Sequence, residues 1–538
     1  MYRDKRLVVV YEMNVSYTIL TLTESNMEKH TYRYFCSFCL ASLILLFAIS
    51  CSGSAEEPSE PETPTTPTDE YTYLNVEYRK WQNGIFQSWT TADSRETRII
   101  DNMNRYAPSG DYSRTAWGGR IGLQPSSVTG KEGFFRVAYC GGRAYLLDPD
   151  NGAVILHGIQ HVRPGESTAH QKAFSTKYGS EVRWSEVTGK MLADNHINYI
   201  SYGSNRIEAF PVAVRANLLT PKTQKIAYAE TLYLLRTFMW DMTKNLGYAF
   251  DDDKYNRLVL LFEPTFAAYI DNLVQEKSAL FAGDKHFVGY YLDNELPFAS
   301  YQNGDPVKGI DLKHFLSLPD RYKAARIYAE KFMQERGIAS SAAISKKDQE
   351  DFRGVVSDYY YQLATTTVRR HDAEHLILGT RLHDWSKYNQ KVVEACARYC
   401  DVVSVNYYGR WQPETDFLAN LKAWCGAKPF LVSEFYTKAE DASYQGVKYA
   451  NTEGGGWLVR TQKNRGEFHQ NFCLRLLETQ NCVGWVHFEY NDGYASDGGA
   501  SNKGIVSLEY EPYESFLSYV RQLNLAVYPL IDYYDAKQ

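Results

Sequence analysis

The stretch "VGYYLDNELP", Val288–Pro297, decides how this chain is read. Residues suited to a buried strand run directly into Asp293, Asn294 and Glu295, with a proline closing the segment. A near-continuous apolar strand is what a parallel sheet covered on both faces requires. A polar pair at its C-terminal end lies where α/β folds place functional groups. Working outward, "AYLLDPDNGAVILHGIQHV" (Ala144–Val162) predicts two strands joined by a turn at Asp148–Gly152. "SEVTGKMLADNHINYISYGS" (Ser185–Ser204) predicts a helix running into a strand. Downstream come two helical stretches, "RYKAARIYAEKFMQERG" (Arg321–Gly337) and "FRGVVSDYYYQLATTTVRRH" (Phe352–His371). Four further strands follow at helix-length spacing: "LILGTRLH" from Leu376, "DVVSVNYY" from Asp401, "KPFLVSEF" from Lys428 and "CVGWVHFEYND" from Cys482.

Strands alternating with helices fit an open doubly wound sheet or a barrel. The turn after the first strand, "HGIQHVRPGES" (His157–Ser167), lacks the G-x-G-x-x-G of a dinucleotide fold. Polar residues instead collect at the C-terminal ends of many strands: His157 and His161, Asn294 and Glu295, Arg381 and His383, Asn406 with Tyr407 and Tyr408, Glu434, and His487 with Glu489. That distribution predicts an α/β chain folded as a (β/α)8 TIM barrel over residues 134–538, with 71–133 as a short N-terminal extension packed on it.

Two strand-terminal glutamates on separate strands meet the needs of glycoside hydrolysis. Retention of configuration requires two carboxyls about 5 Å apart, one a nucleophile and one a proton donor. Counting back from Cys482–Asp492 as the eighth strand, Glu434 ends the seventh and Asn294-Glu295 the fourth. This arrangement resembles the clan A retaining glycoside hydrolases. The fuller pattern resembles the β-agarases, particularly glycoside hydrolase family 50. The matching segments begin at Tyr145 ("YLLDPDNGAVILHGIQHV"), Leu261 ("LFEPTFAAYI"), Gly289 ("GYYLDNE"), His371 ("HDAEHLILGTRL"), Cys400 ("CDVVSVNYY"), Lys428 ("KPFLVSEFYTKAED"), Val483 ("VGWVHFEYND") and Asn502 ("NKGIVSLEYEPY"). The resemblance implies Glu295 as acid/base, Glu434 as nucleophile, and Asn294 as the partner of the hydroxyl beside the scissile carbon. One departure stands out: His487 occupies the place where such enzymes carry a tryptophan.

Other residues admit two readings. Asn294, Tyr407, Tyr408, Arg381, His383, Trp411, Trp385, His487 and His161 form the expected substrate-contacting set. Tyr407 or Tyr408 would bond Glu434, or simply pack; Arg381 and His383 would hold hydroxyls or a carboxylate. Trp385, Trp411 and Trp457 follow strands and suit sugar platforms or core. Asp293 alternates away from Asn294 and braces a neighbour, while Glu263, before Pro264, reads as a helix cap. "YNDGYASDGG" (Tyr490–Gly499) does not match an EF-hand, so no metal and no cofactor is expected.

The N-terminal residues predict export. "FCSFCLASLILLFAIS" (Phe35–Ser50) is an apolar run behind Lys29, His30 and Arg33, and Met27 heads an ordinary signal start. Residues 1–50 thus read as a signal region, and "FAISC" resembles a lipoprotein box with Cys51 as the lipidated residue. Residues 51–70, rich in Pro, Thr, Ser and Glu, form a solvated tether. An outer-membrane lipoprotein, touching the membrane through its anchor alone, is the expectation. Six further cysteines (Cys140, Cys396, Cys400, Cys425, Cys473, Cys482) show no zinc spacing and leave a disulfide open. A net charge of −6 without a basic stretch argues against nucleic acid, while 43 Tyr and 10 Trp suit surfaces that stack on sugars. The sequence therefore predicts hydrolysis of β-linked galactan, agarose or porphyran, or its oligosaccharides. The alternatives are another β-glycan, mannan or β-glucan, and a non-catalytic carbohydrate-binding lipoprotein.

Overall fold

The structure, a computed structural model, describes residues 70–537 except 83–84, 109, 111, 202–224, 247–249, 251–254, 300–308, 427, 453, 455 and 495–499. The signal region, the tether and Cys51 lie outside the described residues. At the centre is an eight-stranded parallel sheet. In chain order its strands are β1 Leu156–Ile159, β2 Tyr199–Ile200, β3 Ala227–Thr231, β4 Phe287–Tyr291, β5 Leu376–Ile377, β6 Val403–Asn406, β7 Phe430–Phe435 and β8 Cys482–His487. The hydrogen-bonded order is β5-β4-β3-β2-β1-β8-β7-β6. One isolated parallel bridge, Leu382 with Val405, links the segment after β5 to β6.

Apart from the β2–β3 connection, which falls largely outside the described residues, helices link successive strands, as parallel pairing demands. The helix Lys346–His371 starts on a capping box between Ser345 and Asp348. Gly337, at φ +65°, follows the helix Lys323–Glu335 in a left-handed turn that glycine adopts without steric cost. Gly289 in β4 answers to a closer constraint: a Cβ there would lie 1.9 Å from the Leu376 carbonyl oxygen of β5.

The plain (β/α)8 barrel with a short extension is corrected by the sheet inventory. Among the described residues the parallel sheet is accompanied by two four-stranded and three two-stranded sheets. Leu74–Arg79 pairs antiparallel with both Asp93–Thr97 and Leu458–Val459, and the latter pairs with Lys438–Ala439 just beyond β7. The other four-stranded sheet runs Ser127–Thr129, Arg136–Cys140, Arg143–Leu147, Ala153–Val154. It crosses residue 133, so the extension and the following segment share backbone hydrogen bonds. The physical reason is that strands need partners; the early strands find theirs in one another, in residues 136–154 and, for Leu74–Arg79, in Leu458–Val459 beyond β7.

Packing then determines which end of the parallel sheet is open. Trp117, Phe135, Val137 and Leu146 cluster with Leu156, Tyr199, Ala227, Val288, Leu376, Leu431 and Val483, the first or second residues of their strands. The N-terminal ends are thus sealed with apolar side chains. Burial of this kind contributes about 1.5–3 kcal/mol per large side chain. The C-terminal ends carry the polar groups.

Candidate active site

Glu434 lies near the end of β7 and is only 4% exposed. Its Oε1 accepts from Gln160 Nε2 at 2.6 Å and from the Arg381 guanidinium, while its Oε2 accepts from the Tyr408 hydroxyl. Glu295, just past β4, has φ +52°, a backbone region that ordinary residues enter at a cost and that clusters at functional sites. The Asn406 amide donates to its Oε1 at 2.7 Å, and His383 Nδ1 lies 3.8 Å from the same atom. Asn406 is oriented in turn by Ser433, whose hydroxyl donates to its Oδ1 at 2.7 Å.

The two carboxyls sense one another. Burial pushes Glu434 above the ordinary carboxylate range, and the charge of Glu295 adds to this; Arg381 and Tyr408 oppose it. Burial likewise raises Glu295, against the Asn406 hydrogen bond and the charges of Arg381 and Lys387. Two neighbouring buried carboxyls resist joint ionisation. Glu434, with three donors including a guanidinium, is the one that ionises first. Glu295 has a single neutral donor, so burial weighs more heavily against its charged form.

Arg381 holds a carboxylate of the protein itself, that of Glu434. It is fully buried, and its five N–H groups are all assigned: Nε to Asn294 Oδ1 at 2.8 Å, one terminal nitrogen to Ser201 Oγ at 3.5 Å and the Ser433 carbonyl at 3.4 Å, the other to Gln160 Oε1 at 2.9 Å and to Glu434. It is a brace that holds Asn294 by its oxygen and leaves that amide nitrogen available. Tyr407 and Tyr408 part ways. Tyr408 reaches Glu434, whereas Tyr407 is buried against Phe417 and Phe472 and donates to Glu414 at 2.9 Å. Tyr407 therefore leaves the substrate-contacting set.

Two further expectations fail on packing. Trp411, 3% exposed, stacks on Trp457 at 5.1 Å and donates from Nε1 to Thr97 Oγ1 at 2.9 Å, which makes it a core residue tying the N-terminal strands to the loop after β6. Trp457 is in the same stack, 4.6 Å from Tyr78. His487, 2% exposed, faces the helical layer beside His469 and Phe516, and its Nε2 meets the Lys503 carbonyl at 2.9 Å. The aromatic ring on the site side is its neighbour Phe488, half-buried, 5.8 Å from Tyr436 and 6.5 Å from Tyr408. Trp385 is half-buried in the turn after His383, and His161 lies beside Gln160 with Nδ1 2.8 Å from Glu489 Oε2. Asp293 turns away as its alternation implied, accepting from Tyr360 and from the Leu235 amide.

Sequence reasoning overlooked Gln160, Phe488, Ser433 and the supporting role of Asn406. Gln160 was accessible by the strand-end rule, since it directly follows β1. The six described cysteines are all free and buried, and the described residues contain no cluster able to hold a metal.

No known protein-family profile matches the chain. Beta-agarase B of Vibrio sp. (strain JT0107) is 22% identical over 480 residues, covering 74% of this chain and 48% of that protein. The chain is similar to beta-agarases. Beta-agarase A of the same organism is 29% identical over 175 residues, 31% of this chain and 17% of that one. The chain thus spans about half the length of Beta-agarase B and less of Beta-agarase A. Among solved structures, BpGH50 superposes with a TM-score of 0.74 at 29% identity, covering 88% of this chain and 98% of that one. An exo-beta-agarase superposes at 0.61, with 17% identity over 79% of this chain and 68% of that one. The agarase AgWH50C gives 0.59, with 19% identity over 79% and 67%. These last two share the fold.

Proposed function

We propose that this chain is a retaining glycoside hydrolase that cleaves β-linked galactan, agarose or porphyran, or its oligosaccharides. The observation that carries the reading is the electrostatically coupled pair Glu295 and Glu434 with contrasting donors. The likeness to BpGH50 and to the agarases, with a site at the C-terminal strand ends, supports it.

In this reading Glu434, ionised, attacks the anomeric carbon and Glu295 gives its proton to the departing oxygen. Glu295, now a carboxylate, then takes a proton from the water that releases the sugar. Arg381 and Gln160 hold the attacking carboxylate in line, and Asn294 offers its amide N–H to the neighbouring sugar hydroxyl. Phe488 and Trp385 are the half-buried rings placed to stack on sugar faces. The residues at this site supply acid, base and nucleophile themselves. The chain acts after export as a lipoprotein anchored at Cys51, as its N-terminal residues indicate.

The test is a screen of the purified chain on agarose, porphyran, mannan and β-glucan with analysis of the released sugars. Products from agarose or porphyran alone support the reading. Products from mannan or β-glucan alone assign another substrate, and binding without cleavage rejects the enzyme.

A further inference from the structure

Beyond the two carboxyls, the site contains a buried chain of hydrogen bonds that points back into the protein. Gln160 sits between a carboxylate and a guanidinium, and this settles which way its amide faces. Its nitrogen donates to Glu434 Oε1 at 2.6 Å, and its oxygen accepts from Arg381 at 2.9 Å. The nitrogen has a second hydrogen, and His161 Nε2 lies 3.4 Å away. An amide nitrogen cannot accept, so His161 Nε2 must present its lone pair. The ring proton then belongs on Nδ1, where Glu489 Oε2 accepts it at 2.8 Å. Burial works against the charge of Glu489. The His161 hydrogen bond and Lys503, 3.8 Å away, outweigh it and hold this carboxyl below its usual range. His161 itself stands at φ +54°, away from the ordinary backbone regions.

We infer that Glu489 and His161 are a positioning dyad for the nucleophile. Glu489 fixes His161 as the Nδ1–H tautomer, His161 fixes the Gln160 amide, and Gln160 fixes Glu434. The other tautomer would bring Nε2–H against the amide hydrogens, and the Gln160 side chain would have to leave Glu434. Both act on the nucleophile through Gln160. The partner that benefits is the transition state, in which the attacking carboxylate must keep one orientation, so the loss falls on kcat rather than on KM.

This inference rests on the glycosidase reading, and the experiment separates the two. Glu489→Ala and His161→Asn are compared with the double variant; asparagine tolerates the left-handed backbone but is too short to reach Gln160. Each single variant is expected to lower kcat on the polysaccharide roughly ten- to a hundredfold, the range for a lost hydrogen bond in a charged network, with KM within about twofold. The double variant falls no further than the worse single one, because the two act as a unit. Unchanged kcat, or losses that multiply, overturns the dyad. Glu489→Gln, which keeps the side-chain volume, distinguishes loss of positioning from loss of folding: it must also show a kcat defect with an unchanged melting temperature. Independently of activity, long-range proton–nitrogen NMR of the wild-type chain at neutral pH must show His161 protonated at Nδ1, its signal assigned by its disappearance in His161→Asn. An Nε2–H tautomer refutes the inference even in a fully active enzyme. Failure of the wild type to cleave any β-galactan refutes the function and leaves the tautomer result standing.

Discussion

His469→Phe is expected to stabilise the protein increasingly as the pH falls. His469 lies on the helix Gln462–Leu477, 2% exposed, with Phe435, Phe516 and His487 rings 5.1, 5.6 and 5.7 Å away. Neither ring nitrogen has a hydrogen-bond partner among the described residues. Burial, reinforced by the charge of Arg465, pushes its pKa down to about 3. The folded chain thus keeps this ring neutral, while the unfolded chain protonates it below about pH 6.5. The neutral form's full stability is present above that pH and is lost progressively as the pH drops toward 3. At pH 5 the gap is about 1.5 pH units, which at about 1.36 kcal/mol per unit comes to about 2 kcal/mol. Phenylalanine fits the aromatic surroundings, has no orphan nitrogen and does not titrate. Asp293 and Asp492, buried with pKa values near about 6, act in the opposite sense over the same range. They are present in both chains and cancel in the difference. Urea unfolding of both chains at pH 8 and pH 5 reads it: the advantage of the variant should widen by about 2 kcal/mol on acidification. An advantage that does not change with pH refutes the reasoning.

Three other expectations can be checked directly. Trp411→Ala should cost about 3–5 kcal/mol of stability with KM unchanged, because the ring is core; calorimetry with kinetics decides, and a raised KM at full stability would restore it as a sugar platform. The loss of kcat/KM at high pH should follow deprotonation of Glu295, above the usual carboxylate range, and Asn406→Ala should shift that limb higher still by removing the hydrogen bond that favours the charged form; a limb that moves down or stays fixed contradicts the assignment. Cys51→Ala should release the chain from membranes, since the acyl chains supply the anchor; unchanged fractionation would reject the lipoprotein reading.

How much of this was legible in the sequence depended on whether the cue was local. β4 and β7 read correctly because uninterrupted apolar runs end in carboxylates, and Glu295 and Glu434 stand at those ends. Tyr407 and Tyr408 could not be separated, since adjacent residues at a strand end point opposite ways and only the observed partners tell them apart. Trp411 misled because its burial depends on Leu74–Arg79 and Asp93–Thr97, strands more than three hundred positions away. The same long-range pairing ties the apparent short extension to Leu458–Val459, far along the chain. At β8, His487 faces the helical layer, and Phe488 was passed over. Gln160 was hidden by His157 and His161, the more conspicuous residues around it.

The central claim, that Glu434 attacks and Glu295 protonates, is tested most directly by azide rescue of two alanine variants on an activated aryl β-glycoside of a galactan oligosaccharide. Glu295→Ala still forms the glycosyl-enzyme, because the aryl group leaves without a proton, and azide then attacks that intermediate. Its product is the β-azide, with configuration retained. Glu434→Ala forms no such intermediate, so azide enters from the opposite face and gives the α-azide. If the two variants yield the same anomer, or if Glu295→Ala remains fully active on the polysaccharide, the assignment is wrong.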